Sequence, residues 1–113
     1  MPLDEYFKQR PPHERAIFEA VHTHLEDVGP VLVEAVQVGI FFKRTRTFAE
    51  LRPKRKCVAL SILLSRRLHS PRIVKSYEGT GLRNAYFIDL HSPEDVDEEV
   101  QDWLTEAYLS SPQ

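Results

Sequence analysis

From residue 13 onward the apolar positions fall on a helical repeat. Ile17, Val21, Leu25 and Val28 recur at i, i+4, i+8 and i+11, with Phe18 beside them. Pro12 suits a first-turn position and Gly29-Pro30 ends the run, so the pattern predicts a helix over about 13–28. The period then changes. Val36, Val38, Ile40 and Phe42 alternate, which predicts a half-buried strand. A basic tract interrupts it at 43–46, and a short strand is expected over 47–51. Residues 52–56, RPKRK, read as a turn, because Pro53 presets a turn backbone and cannot donate to a central ladder. Val58, Leu60, Ile62 and Leu64 make the cleanest alternation in the chain. The opposite positions, Cys57, Ala59, Ser61 and Leu63, are also mostly apolar, so this strand is expected at the centre of the sheet.

A loop is expected over 66–71, a weaker strand over 72–77 and a turn at 78–81, EGTG. Tyr86, Ile88 and Leu90 mark a last strand. In the closing segment Ser92 can cap, Pro93 fits the first helical position, and Asp95 stands three residues after the cap. Val96, Val100, Trp103, Leu104, Ala107 and Tyr108 form one apolar stripe. Acidic residues crowd the first turns, where the helix dipole favours them, which predicts a helix over about 93–109. The order is helix, four to five strands, helix. Short connections imply hairpins and an antiparallel sheet. The expected fold is α+β: a single domain over 1–113, with the N-terminal and C-terminal helices packed on one face of the sheet.

The longest apolar run, Cys57 to Leu64, is far shorter than the roughly 20 residues a membrane span needs. The opening MPLDEYFKQR carries acids where a signal peptide would be apolar. A cytoplasmic protein with no membrane partner is expected. With a single cysteine, Cys57, no intramolecular disulfide can form, and its place in the most apolar strand suggests a buried structural role.

Charge changes the picture more. The net charge is −2, but it is segregated: −4 over residues 1–42, +10 over 43–83 and −8 over 84–113. The basic middle supplies the candidate site: Lys43, Arg44, Arg46, Arg52, Lys54, Arg55 and Lys56, supported by Arg66, Arg67, Arg72 and Lys75. Such residues bind phosphates with release of counterions, and the interleaved Phe42, Phe48 and Tyr77 would stack on unpaired bases. Two plainer accounts compete. Charged turns blunt sheet edges, and acidic helices neutralise a basic sheet. In a meander, the tract at 43–46 and the loop at 66–72 would share one end of the sheet and 52–56 would occupy the other.

Other chemistry is weaker. His22 and His24 are two apart and miss the i, i+4 geometry of a shared ligand set, and no histidine has structural-zinc spacing to Cys57, so no metal or other cofactor is expected. Gly79-Thr80-Gly81 lacks the third glycine and following helix of a phosphate loop. Asp89, His91 and Ser92 are triad residue types, but neighbours in sequence need not converge.

The run GIFFKR at 39–44 followed by TFAELRPKRK at 47–56, then Pro71-Arg72, then LHSPEDVDEEVQDWLTEAYLS at 90–110, resembles a bacterial family known as domain of unknown function 5655 (DUF5655). More distantly the chain is similar to the small YdhG-type bacterial proteins. The resemblance implies a compact α+β domain, found alone or attached to larger proteins, with no established activity and no catalytic residues. The chain departs from the pattern at Tyr86, where a histidine is expected.

The reading that follows is a non-catalytic binding module for an anionic partner, with nucleic acid the first candidate. One alternative is a protein-interaction domain, including a homodimer that joins the acidic closing segment of one chain to the basic middle of another. A second is a small-ligand protein or enzyme with a pocket between helices and sheet near Tyr86, His91 or Cys57.

Overall fold

A computed structural model describes residues 1–79 and 83–111. The helices are α1 (Leu3–Phe7), α2 (Pro12–Val28) and α3 (Glu98–Ser110), with a 3₁₀ turn at Pro93–Asp95. The strands are β1 (Leu32–Val36), β2 (Gly39–Lys43), β3 (Thr47–Pro53), β4 (Val58–Leu64), β5 (Ile73–Glu78) and β6 (Asn84–Leu90). They form one antiparallel sheet in the order β1-β2-β3-β4-β6-β5. The fold is the expected α+β arrangement with one more strand than the pattern predicts. The turn predicted at 78–81 lies largely outside the described residues.

The extra strand comes from reading 36–42 as one element. The chain instead turns at Gln37 and Val38, pairs Val36 with Gly39, and lays Leu32–Val36 against Gly39–Lys43. Gly39 is required where the start of β2 meets β3, because a Cβ there would sit 2.4 Å from the Leu51 carbonyl oxygen. Val38, expected on a strand face, is exposed at the turn.

Both long helices cover one face. Phe18 of α2 stacks on Phe42 of β2 with ring centroids 5.9 Å apart, and α3 packs on β3 and β4. Ile17, Val21 and Leu25 from α2 and Val100, Leu104 and Ala107 from α3 meet Ile40, Leu51, Leu60, Ile62, Tyr86 and Ile88 in one core. A bulge between Phe42 and Lys43 leaves Phe48 without a partner on β2 and lets it turn into the core as well, edge-on to Tyr108.

Two further differences have local causes. The closing helix starts at Glu98, because Asp97 rather than Ser92 caps it: the Asp97 carboxylate accepts the N–H of Val100. Asp95 instead accepts the N–H of His91, closing the 3₁₀ turn. The strands are also not a simple meander. β6 inserts between β4 and β5, so residues 65–72 run back along the helix side of the sheet. Leu68 is buried there, and its N–H donates to the Tyr86 hydroxyl at 2.8 Å.

Replacing Gly39 with alanine should cost roughly 1–3 kcal/mol, the scale of forced overpacking, since the obstructing atom is ladder backbone rather than a mobile side chain. Thermal melts should show Tm lower by about 4 °C or more. Val38→Ala, two atoms of side chain lost at an exposed turn of the same hairpin, should leave Tm nearly unchanged.

Candidate functional site

The helices leave the other face of the sheet uncovered. Alternation places Phe41, Glu50, Arg52, Ala59, Ser61, Leu63, Ala85, Phe87, Asp89, Lys75 and Tyr77 on it, each beside a paired neighbour of the same parity. The middle of this face is low because Ala59 and Ser61 are short. Around them Glu50, Arg52, Pro53, Lys54, Val74, Lys75 and Phe87 rise to enclose a depression of about 300 Å³. At its β5 side Tyr77 and Phe87 meet edge to face, 5.9 Å between centroids. The Lys75 ammonium sits 5.0 Å and 5.7 Å from these two rings.

The eleven basic candidates divide into three groups. Six pair with carboxylates of their own chain: Lys43 with Glu34, Arg52 with Glu50, Lys54 with Asp89, Arg66 with Glu106, Arg67 with Glu78, and Arg72 with Asp97 and Glu99. Arg44 lies over the Tyr108 ring and donates to the Tyr108 and Ser111 carbonyls, closing the C-terminal end of α3. Arg46, Arg55, Lys56 and Lys75 make no ion pair with a carboxylate among the described residues. The candidates also divide by place. Arg52, Lys54 and Lys75 border the depression, with Arg55 and Lys56 in the adjoining β3–β4 turn. Arg44, Arg46, Arg66 and Arg67 lie at the opposite end of the sheet. Arg72, expected beside 43–46, is carried to the other end by the return of residues 65–72.

The stacking residues differ from the expectation. Phe42 and Phe48 are 0% and 1% exposed and are core. Tyr77 is exposed, and Phe41 and Phe87 share its face. Strand parity could have found them: each precedes or follows an alternating core position, Phe42 in one case and Tyr86 and Ile88 in the other.

The remaining candidates have structural partners. Burial, and then the nearby Asp89 carboxylate, push the Cys57 thiol up, which keeps it protonated and a poor nucleophile. The Tyr86 hydroxyl donates to Glu78 at 2.9 Å while accepting from Leu68, and burial raises its pKa. Asp89 faces the open side and accepts from Lys54, whereas His91 stands near Asp95, so Asp89, His91 and Ser92 do not converge. Among the described residues no group of three or more His, Cys, Asp and Glu could hold a metal ion, and no helix is long and apolar enough to cross a membrane.

The model of one family, Domain of unknown function (DUF5655), matches residues 3–111. The chain belongs to the DUF5655 family. No curated protein matches it. No solved structure matches it either. In this DUF5655 domain the Tyr86 phenol fills a core position and ties β6 to both Leu68 and Glu78.

A clamp joins the return segment to the closing helix. Arg72 donates to both Asp97 oxygens at 2.8 and 2.9 Å, to Glu99 at 3.2 Å and to the Asp95 carbonyl at 2.9 Å. It holds the return segment against the start of α3. The Arg72 hydrogen bonds lower the Asp97 pKa, although burial opposes the shift. A carboxylate with a depressed folded pKa contributes stability above its unfolded value, near 4, and loses that contribution as pH falls through the lower folded value. Arg72→Gln should therefore lower Tm at neutral pH by about 4 °C, the worth of about 1 kcal/mol for a half-exposed network. The gap between variant and wild type should shrink towards about pH 3. An equal gap at both pH values would show that Asp97 is not the linked group.

Proposed function

We propose that this domain is a non-catalytic binding module whose open sheet face takes an anionic partner, with single-stranded nucleic acid as the partner. The observation that supports it most is the depression on that face. Three cationic side chains, Arg52, Lys54 and Lys75, and one carboxylate, Glu50, line it together with the half-buried Phe87. A backbone phosphate and a base suit the two parts of such a surface: cations for the first, an aromatic ring for the second.

The self-pairing of Arg52 and Lys54 does not remove this reading. Their side chains are 57% and 50% exposed, and exposed ion pairs are worth only about 0–1 kcal/mol. A phosphate can replace the carboxylate at small cost. Two carboxylates share this face, Glu50 and Asp89, each paired with one of its cations, and the exposed acids Glu19, Asp27, Glu94, Glu98 and Asp102 belong to the helix side. A single-stranded partner fits better than a duplex, because an aromatic side chain can stack only on a base that is itself unpaired and unstacked. The engaged state of Cys57, Tyr86 and Asp89 supports a binding role over a catalytic one. The single buried thiol suits a reducing cytoplasm.

Fluorescence anisotropy with short labelled single-stranded DNA and RNA tests the reading. Binding should appear at low salt and weaken steeply as salt rises. Lys75→Glu and Phe87→Ala should each weaken it by about tenfold, the scale of one lost phosphate or stacking contact. Arg46→Glu, at the far end of the sheet, should change it little. No binding at low salt, or equal binding by the Lys75 and Phe87 variants, would overturn it.

A further inference from the structure

We propose that β5 is a homodimer edge: two copies pair β5 with β5 antiparallel about a two-fold axis at Ser76, joining their sheets into one of twelve strands.

The two edges of the sheet are treated differently. At β1 the terminal ammonium of Met1 donates to the Ala35 carbonyl at 2.8 Å, and α1 lies against the same strand. Among the described residues nothing covers the outer side of β5, and Val74 to Gly79 are all exposed. The strand has no proline and only one bulge, between Ile73 and Lys75. An edge strand left so open presents unpaired N–H and C=O groups, a ready template for another strand.

The phase of the β5–β6 ladder says which groups those are. The Gly79 N–H donates to the Arg83 carbonyl, so 79 and 83 form a hydrogen-bonded pair. In an antiparallel ladder such pairs alternate, which makes Tyr77 with Ala85 and Lys75 with Phe87 the next ones inward. Ser76 and Glu78 therefore turn their backbone groups outward. A two-fold axis can pass through such a residue, at a hydrogen-bonded pair, or through one that faces β6, at a non-hydrogen-bonded pair. Of the second kind, an axis at Lys75 would oppose two ammonium groups, and an axis at Tyr77 would set Lys75 beside Gly79 and forgo its contact with the other copy's Tyr77. An axis at Glu78 would set two carboxylates against each other. An axis at Val74 would fall on the bulge and shorten the overlap. An axis at Ser76 sets serine beside serine and leaves the bulge at Val74 opposite Glu78, at the end of the overlap. On the open face it sets Lys75 beside Tyr77 of the other copy, repeating the contact Lys75 already makes with its own Tyr77 at 5.0 Å. No like charges meet. This self-complementarity selects a second copy over an unrelated extended peptide.

Cysteine trapping tests both the dimer and its register. At a hydrogen-bonded antiparallel pair the Cα atoms lie about 5.5 Å apart, inside disulfide range. Ser76→Cys should cross-link under mild oxidation well ahead of Tyr77→Cys, whose mates would stand about 8 Å apart, two residues out of register. The native Cys57 is buried and needs no replacement. By light scattering the wild-type chain should be dimeric at high concentration. Ser76→Pro should be monomeric with an unchanged circular dichroism spectrum, because the N–H it removes points away from β6. The proposal fails if the wild-type chain is monomeric at every concentration, if Tyr77→Cys links as fast as Ser76→Cys, or if a monomer captures an extended peptide on β5 instead.

Discussion

Two helices, of 17 and 13 residues, lie on a sheet six strands wide, and they can bury only one of its faces. Strand parity then obliges every core residue to alternate with one that meets water. β4 shows how the chain meets this constraint. Val58, Leu60, Ile62 and Leu64 point inward, while Ala59 and Ser61 on the outward side are too short to expose much apolar surface. The same short side chains leave the open face low at its centre, so the longer Arg52, Lys54, Lys75 and Phe87 stand up around it. The depression is thus a by-product of covering a sheet on one side only.

Charge follows the same two-sidedness. On the helix side, Arg66 and Arg72 from the basic middle reach Glu106, Asp97 and Glu99 of the acidic closing segment. These contacts join within one chain the segments that an intermolecular pairing would have had to join, so they take the charge argument away from a dimer built on segregation. On the open side the pairs are local and wet, Arg52 with its strand neighbour Glu50 and Lys54 with Asp89 on the far side of β4. Exposed pairs of this kind are loosened by salt and by competing anions. The clamp at Arg72, with four acceptors, is much less replaceable.

Most of the architecture was legible in periodicity. The spans of α2, β3, β4 and β6 follow directly from the spacing of their apolar residues. The misreadings arose where two structures share one pattern. The alternation from Val36 to Phe42 fits one strand as well as the end of one and the start of the next, and only the tight contact of Gly39 with Leu51 separates them. Ser92 and Asp97 both satisfy cap statistics, and the geometry after Val96 decided for Asp97. Phe42 and Phe48 looked like surface aromatics because charges surround them in sequence. Phe42 is inward by parity, and Phe48 is inward because a bulge reverses it, which no local pattern announces. The candidate site was legible as composition but not as place, since the pairing of six of its eleven members depends on contacts remote in sequence.

The insertion of β6 between β4 and β5 was the least visible feature, and it has the widest consequences. It places Phe87 between Ser61 on one side and Lys75 on the other, which is what brings ring, hydroxyl and ammonium to one depression. A meander would have set β5 against β4 and moved Phe87 to the rim. The same insertion sends β5 to the outside, where its outward backbone groups have no partner among the described residues. Depression and open edge are therefore two results of one topological step. They differ in how they respond to conditions: contacts to phosphate fall off with salt, whereas a backbone ladder between neutral groups is nearly indifferent to it. Ionic strength therefore separates the two behaviours in the intact chain without altering a residue.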